Sequence, residues 1–389
     1  MIHSGPEWSN ITLVLYIISG VVCWANVYYV KKNKKILSKG FFCKEYFVWY
    51  IWWIALAVFR KVDIDHGGKD APSYIEYFQS CLHNSADTTD FAFKVFNQGI
   101  RLLTSNYKVF FFIYYSIIIF SLVIFINEFL RTQASTIPLM ILIYLYLRSF
   151  TSMRSNFAIA IILLSLVALH RKKYFFTIIF AGIAVLTHVS AFIYVAFIVF
   201  YFFYHDRKIG IVKSIVFFAF AFLVGTYIQR YVLSGGFAFL TDIGSGAYAS
   251  YARRSLSRNF ILDYSVSNIP QLVLFLTLMF FRKPLNELIN ESSEVDKTKL
   301  EFLRLMAYYD FCMIPVLFLF DIYRGYEFFY VARLVLWGEL IVIIRKYFNT
   351  KSKKIVNLFF LIIFIIWMIN RIGATWESSH LMPYIFDLI

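Results

Sequence analysis

Apolar runs close to twenty residues long recur along this chain, separated by short polar stretches. A helix needs about 20 consecutive apolar residues to cross a bilayer. The pattern predicts an all-α, polytopic integral membrane protein, one membrane domain over 1–389 with about twelve spans. They fall at 11–30, 46–59, 108–128, 137–147, 157–170, 175–187, 191–204, 211–228, 265–281, 302–320, 326–344 and 355–372. The fourth and fifth are short for a perpendicular crossing, and their junction is polar. Such junctions border water-filled space, where irregular backbone is tolerated.

Lysine orients the bundle. Lys31, Lys32, Lys34 and Lys35 follow the first span, and Lys351, Lys353 and Lys354 precede the last. The positive-inside bias puts both clusters in the cytoplasm and the N-terminus outside. Residues 1–10 lack a basic leader region, so the first span is expected to be retained. Two long outer loops follow from this topology. In the first, 60–107, Tyr74, Ile75, Phe78, Cys81 and Leu82 recur at helical spacing, and 91–103 looks similar. Both predict amphipathic helices lying on the membrane. The second, 229–262, is rich in Gly, Ser and Tyr and reads as a flap. A charged cytoplasmic loop, 282–299, precedes the tenth span, and a short outer tail ends the chain.

Arginine breaks the lysine rule. It concentrates on the outer side, and Arg333 falls inside a span. A guanidinium at that depth needs an anion, and its fork matches phosphate oxygens. The pattern points to an anionic, phosphorylated ligand handled from the outer leaflet. The chain is 60% hydrophobic and 16% charged, with a formal charge of +15. Lysines flanking the spans account for most of that charge, so nucleic acid is not the expected partner. Cys23, Cys43, Cys81 and Cys312 show no close spacing, which predicts neither a metal site nor a disulfide framework. There is no phosphate-binding Walker loop and no nucleophile elbow, so energy for any synthesis comes from the substrate.

Five constellations stand out. Arg148 and Arg154 bracket the junction of the fourth and fifth spans; they clamp a diphosphate, or else snorkel to headgroups or pair with a carboxylate. His188, with Ser190, sits at the outer end of the sixth span, where an imidazole can take a proton at neutral pH. Arg60 precedes Gly67, Gly68, Asp70 and Tyr74. Asp70 is either a helix N-cap or a carboxylate that meets a sugar hydroxyl. Arg324 and Glu327 precede Arg333, which contacts ligand or pairs with Glu339, Glu327 or Asp310. Tyr248, Tyr251 and Arg254 in the second loop would grip a sugar, a lipid phosphate or a headgroup.

In this order, the pieces resemble the Wzy-type polysaccharide polymerases, in their EpsG-like branch. The matching elements are Gly68-x-Asp70-x-x-x-Tyr74, Arg148 with Arg154-x-x-Phe-Ala, His188-x-Ser190-Ala191, and Arg324 with Arg333. The resemblance implies a GT-C-like helical core in the bacterial inner membrane and a glycosyltransferase with no metal or cofactor. It would join undecaprenyl-diphosphate-linked oligosaccharide repeat units into O-antigen, capsule or exopolysaccharide at the extracytoplasmic face. A chain-length regulator is a possible partner alongside membrane lipid. Arg148, Arg154, Arg324 and Arg333 are then expected on the diphosphate. His188 is the first candidate base and Asp70 the second. Arg60, Tyr74, Ser190, Tyr248, Tyr251 and Arg254 are expected near sugar or lipid. The alternatives are a lipid-linked oligosaccharide flippase or polysaccharide transporter, and an O-antigen ligase.

Overall fold

The computed structural model describes residues 7–33, 44–82, 91–205, 281–319 and 327–387, with further helical positions within 212–227 and 273–280. Among the described residues there is no strand; the backbone is helical apart from one isolated bridge, Arg60 to Phe386. The chain forms two compact units, residues 1–191 with 337–389, and residues 192–336.

The first unit begins with α1 (Asn10–Lys32), capped by Ser9, whose side chain accepts from the Thr12 N–H. At its far end Lys31 is buried and donates to the Leu130 carbonyl at 2.6 Å. That carbonyl lies at the C-terminus of α5 (Tyr107–Phe129), where a cation meets the negative end of the helix. Between these helices lies α2 (Phe47–Val58), which at 12 residues spans about 18 Å, well short of a full crossing. Two polar-edged helices follow, α3 (Ala71–Ser80) and α4 (Phe91–Arg101), inside the stretch read as the first outer loop. Phe78 and Phe93 are fully buried there, and Phe93 packs on Tyr74 and Tyr77.

The centre of the unit is a nine-residue 3-10 segment, Gln133–Ile141, that runs straight into α6 (Leu142–Thr151). After a break at Ser152, α7 (Met153–His170) leads back, and α8 (Tyr174–Thr187) pairs with it. The fourth predicted span is therefore longer than expected, because the polar start at Gln133 is paired inside the fold. Ser135 and Thr132 cap it reciprocally, and the buried Glu339 accepts from the neighbouring Arg131 at 3.2 Å. Gly20 lets α1 approach this segment closely; a side chain there would meet the Met140 carbonyl at 2.6 Å. Trp53 stacks on Tyr146, with ring centroids 4.4 Å apart.

At one end of the unit Glu128 joins α5 to the α7–α8 turn through His170 at 2.9 Å and Arg171. The opposite end holds residues 60–70, the α6–α7 break, the end of α8 and the C-terminal tail, and is called the site end below. The tail was expected to be a short appendage. Instead α13 (Thr350–Gly373) gives way to a four-residue helix, α14 (Trp376–Ser379), and an ordered strap. The strap is tied by backbone bonds from Lys61 to Ile385 at 2.8 Å, Lys69 to Ser379 at 2.9 Å and Asp387 to Phe59 at 2.7 Å.

The second unit contains α9 (Phe192–Tyr204), α10 (Arg282–Glu291), α11 (Glu294–Leu319) and the start of α12 (Tyr330–Lys346); the division falls after Leu336. The stretch read as a charged cytoplasmic loop is thus helical. Leu285, Leu288 and Ile289 are buried on α10, and Glu294 and Asp296 suit the positive end of α11. Phe197 lies against Phe302, Tyr309 and Phe329.

Among the described residues, five helical segments are long and apolar enough to cross a membrane: Asn10–Lys32, Tyr107–Phe129, Gln133–Thr151, Met153–His170 and Ser352–Gly373. Shorter apolar helices cover the second, sixth and seventh predicted spans. Parts of the eighth, most of the ninth, and the entry to the eleventh lie outside the described residues.

Candidate functional site

The helices at the centre of the first unit are almost wholly enclosed. The Gln133–Thr151 segment is 89% buried and Met153–His170 83%, against 22% for Ser352–Gly373. Arg148 is the one residue of α6 that is not buried, and Arg154 the one in the first eleven residues of α7. A helix in this position has no lipid face for an arginine to snorkel along. Its two open side chains are both guanidiniums, six residues apart across the break.

The break is held from three sides. Ser152 leaves helical geometry at φ −112° and ψ 63°. Its N–H donates to the Arg148 carbonyl at 2.9 Å, and its own carbonyl accepts from Asn156 and Ser155. From α5, Tyr114 donates to the Met153 carbonyl at 2.7 Å and Tyr115 to that of Ser149 at 3.3 Å. From the tail, the Ser379 carbonyl accepts from the Thr151 hydroxyl at 3.1 Å. From the 60–70 loop, Gly68 presses on the Phe150 carbonyl. Gly67 and Gly68 have φ of 79° and 114°, a region closed to ordinary side chains, and a Cβ on Gly68 would overlap the Phe150 oxygen.

Arg60, expected near sugar or lipid, has a different place. It is 1% exposed. Its Nε donates to the Gly67 carbonyl at 2.8 Å and its Nη2 to the Tyr115 hydroxyl at 2.9 Å, while Nη1 meets the Ala57 carbonyl. Its guanidinium also lies 4.2 Å from the Phe111 ring and 4.1 Å from that of Phe150. With all three nitrogens bonded and its guanidinium packed on aromatic rings, Arg60 supports the junction. Next to it Lys61, Asp63 and His66 form a tight cluster, with 2.7 Å between Asp63 and each of the others. Burial would raise the Asp63 carboxyl, but hydrogen bonds from Lys61 and His66 outweigh it and hold it at about 2.

Asp70 occupies the N-cap position of α3, but its side chain caps nothing. Its backbone carbonyl accepts from Tyr74 N–H, and its half-buried carboxylate makes no hydrogen bond or ion pair among the described residues. Tyr74 packs edge-on against Phe93.

His188 terminates α8 in an extended conformation, φ −161° and ψ 119°. Its height can be derived from the α7–α8 register. The Ser165 hydroxyl donates to the Thr177 carbonyl at 2.8 Å, which pairs those levels. Arg154 is eleven residues beyond Ser165, and His188 eleven beyond Thr177. Both therefore rise about 16 Å above the pairing, to the same level on neighbouring helices. The short turn Val189–Ala191 packs back onto α7. Ser190 faces the ring, its Oγ 2.6 Å and its N–H 3.3 Å from Nδ1. An N–H can only donate, so Nδ1 accepts, and this network assigns the proton of the neutral ring to Nε2.

Arg333 lies in the second unit, 7% exposed, and donates from Nη1 to Asp310 at 2.9 Å, beside the Tyr330 ring. Asp310 is one of the anions considered for it in the sequence. Arg324, Tyr248, Tyr251 and Arg254, and the 229–262 flap, lie outside the described residues. The sequence reading missed the supports: Tyr114, Tyr115 and Thr151 look like ordinary span residues, and Ser379 contributes only a carbonyl.

Neither a curated protein nor a solved structure matches the chain. The sequence profile of the EpsG family, in contrast, matches residues 46–386, from α2 through the C-terminal strap. That range takes in the glycine turn, the arginine junction, the His188 turn and the Arg333 helix, and the chain belongs to the EpsG family.

Proposed function

We propose that this protein is a polysaccharide polymerase of the membrane, joining undecaprenyl-diphosphate-linked repeat units at the extracytoplasmic face of the bacterial inner membrane. The observation that carries this reading is that, among the described residues, Arg148 and Arg154 are the positions from Leu142 to Leu163 that are not buried, on helices largely enclosed by protein. Preorganised cations in such a setting suit a leaving group that develops negative charge.

In the proposed reaction the acceptor hydroxyl oxygen bonds to the anomeric carbon of the donor sugar. The bond from that carbon to the diphosphate oxygen breaks, and its electron pair leaves on the diphosphate. Arg148 and Arg154 receive that charge bidentately. The hydroxyl proton needs a base. The tautomer set by Ser190 makes the Nε2–H of His188 a donor, which favours a role for His188 on the diphosphate or a sugar oxygen. Asp70, with an uncommitted carboxylate, is then the better base, and Tyr74 a platform for sugar.

The test is polymerisation by the purified full chain in proteoliposomes given lipid-linked repeat units. The wild type yields a ladder of lengthened products. Arg154→Lys keeps the charge but loses the fork, and lowers turnover at least tenfold; His188→Ala does the same. Full-length polymer from both Arg154→Ala and His188→Ala would overturn the assignment, and movement of substrate across the bilayer without elongation would mark a flippase.

A further inference from the structure

Arg371 lies in the last turn of α13, at the site end of the first unit. Its Nε is shut off from solvent and has no hydrogen-bond partner. Its guanidinium meets no carboxylate among the described residues and lies over the face of Tyr144, 5.4 Å from the ring centroid. Other cations of this unit are differently served. Arg131 meets Glu339, Arg171 meets Glu128, and Lys108 meets Asp387. A ring face compensates a half-buried guanidinium with a desolvated Nε only in part, and such a group favours an anion.

The direction of the side chain says which anion. The α13 segment is the least buried of the five long apolar ones. An arginine near its end is free to turn outward to headgroups, as long cationic side chains do. Arg371 turns inward instead, onto a ring that is 7% exposed. Tyr144 and Arg148 are four residues apart on α6 and share a face. Arg371 and Arg148 therefore flank the same tyrosine, and Arg148 is the open residue of that helix.

We propose that Arg371 is a further oxyanion-binding residue, gripping with Arg148 the diphosphate of the lipid-linked substrate. This rests on the polymerase reading for the identity of the ligand. Lipid headgroups offer the same phosphate chemistry, so the test separates the two sources. The full-length protein is placed in neutral phosphatidylcholine nanodiscs and titrated with undecaprenyl diphosphate. A parallel titration uses vesicles containing phosphatidylglycerol. Thermal midpoints establish that each variant is folded.

Arg371→Gln is expected to weaken diphosphate binding at least tenfold while leaving phosphatidylglycerol binding unchanged. Arg371→Lys is expected to weaken it several-fold, because the fork is lost. Unchanged diphosphate affinity in folded Arg371→Gln would overturn the proposal, as would an equal loss toward phosphatidylglycerol, which would make Arg371 a headgroup anchor. If Arg371→Gln does not fold, Arg371→Lys decides, and wild-type affinity in that variant sinks the idea. A wild type that binds diphosphate through Arg371 yet never elongates a chain keeps this site and defeats the polymerase reading. A wild type that elongates, with Arg371→Gln unaffected, does the reverse; no binding by the wild type defeats both.

Discussion

Gly68→Ala tests how the junction is held. Gly68 has φ 114°, and its Cα faces the carbonyl of Phe150, between Arg148 and Arg154. Two effects add. Holding a non-glycine residue in that region costs about 1–3 kcal/mol. Forcing a methyl against a backbone oxygen costs roughly 1–3 kcal/mol more, because a carbonyl cannot rotate away as a side-chain tip does. The chain relieves the second by moving the break, and a shift of roughly 1 Å in a binding group lowers rate about 100-fold. Gly68→Ala should thus lower the thermal midpoint of the protein in nanodiscs and reduce chain extension by one to two orders of magnitude. Gly99→Ala is the control. Gly99 sits in α4 with nothing within 4 Å of a built Cβ, so alanine there should be neutral or stabilising by up to about 1 kcal/mol. A Gly68→Ala protein with wild-type midpoint and wild-type ladder would refute the claim that this contact sets the junction.

Arg60→Leu removes the donors to Gly67, Ala57 and Tyr115 and should destabilise by about 3 kcal/mol or more, since buried acceptors are left unpaired; a thermal midpoint within error of wild type would show that the cage is not needed. Asp63 is held at about 2, below its unfolded value of about 3.9. Its contribution is therefore complete above pH 4 and lost as pH falls toward 2. The stability gap between wild type and Asp63→Asn should be present at pH 5 and close as the pH falls toward 2; a gap that widens over that range contradicts the assignment. His188→Gln retains a donor near the Nε2 position and should keep far more activity than His188→Ala; equal loss in both would return His188 to the role of base.

Much of this fold is written in the hydrophobic pattern. The first, third and twelfth spans were legible because each is a long apolar run with polar ends, and α3 and α4 because Phe78 and Phe93 recur at helical spacing among polar neighbours. The second coincides with an apolar helix of only 12 residues, and apolarity alone does not measure depth. The fourth is longer than 137–147, although Gln133, Ser135 and Thr136 look like an exit from the membrane; Ser135 and Thr136 are buried, and Thr136 donates to the Gln133 carbonyl. The strap was invisible for a plainer reason. Its contacts run through the carbonyls of Ser379, His380, Leu381 and Ile385, and a carbonyl leaves no mark on sequence. Arginine placement marked the site but did not sort its members. Arg60, Arg148 and Arg154 look alike in sequence. Only packing distinguishes the one packed against Phe111 and Phe150 from the two that are half-buried.

The most direct measurement is a cryo-EM map of the full chain in nanodiscs with undecaprenyl diphosphate bound. The account predicts paired phosphate density within hydrogen-bond distance of the Arg148 and Arg154 guanidiniums, at the level of His188. Diphosphate density elsewhere, with Arg148 and Arg154 turned to lipid or to protein carboxylates, would contradict it.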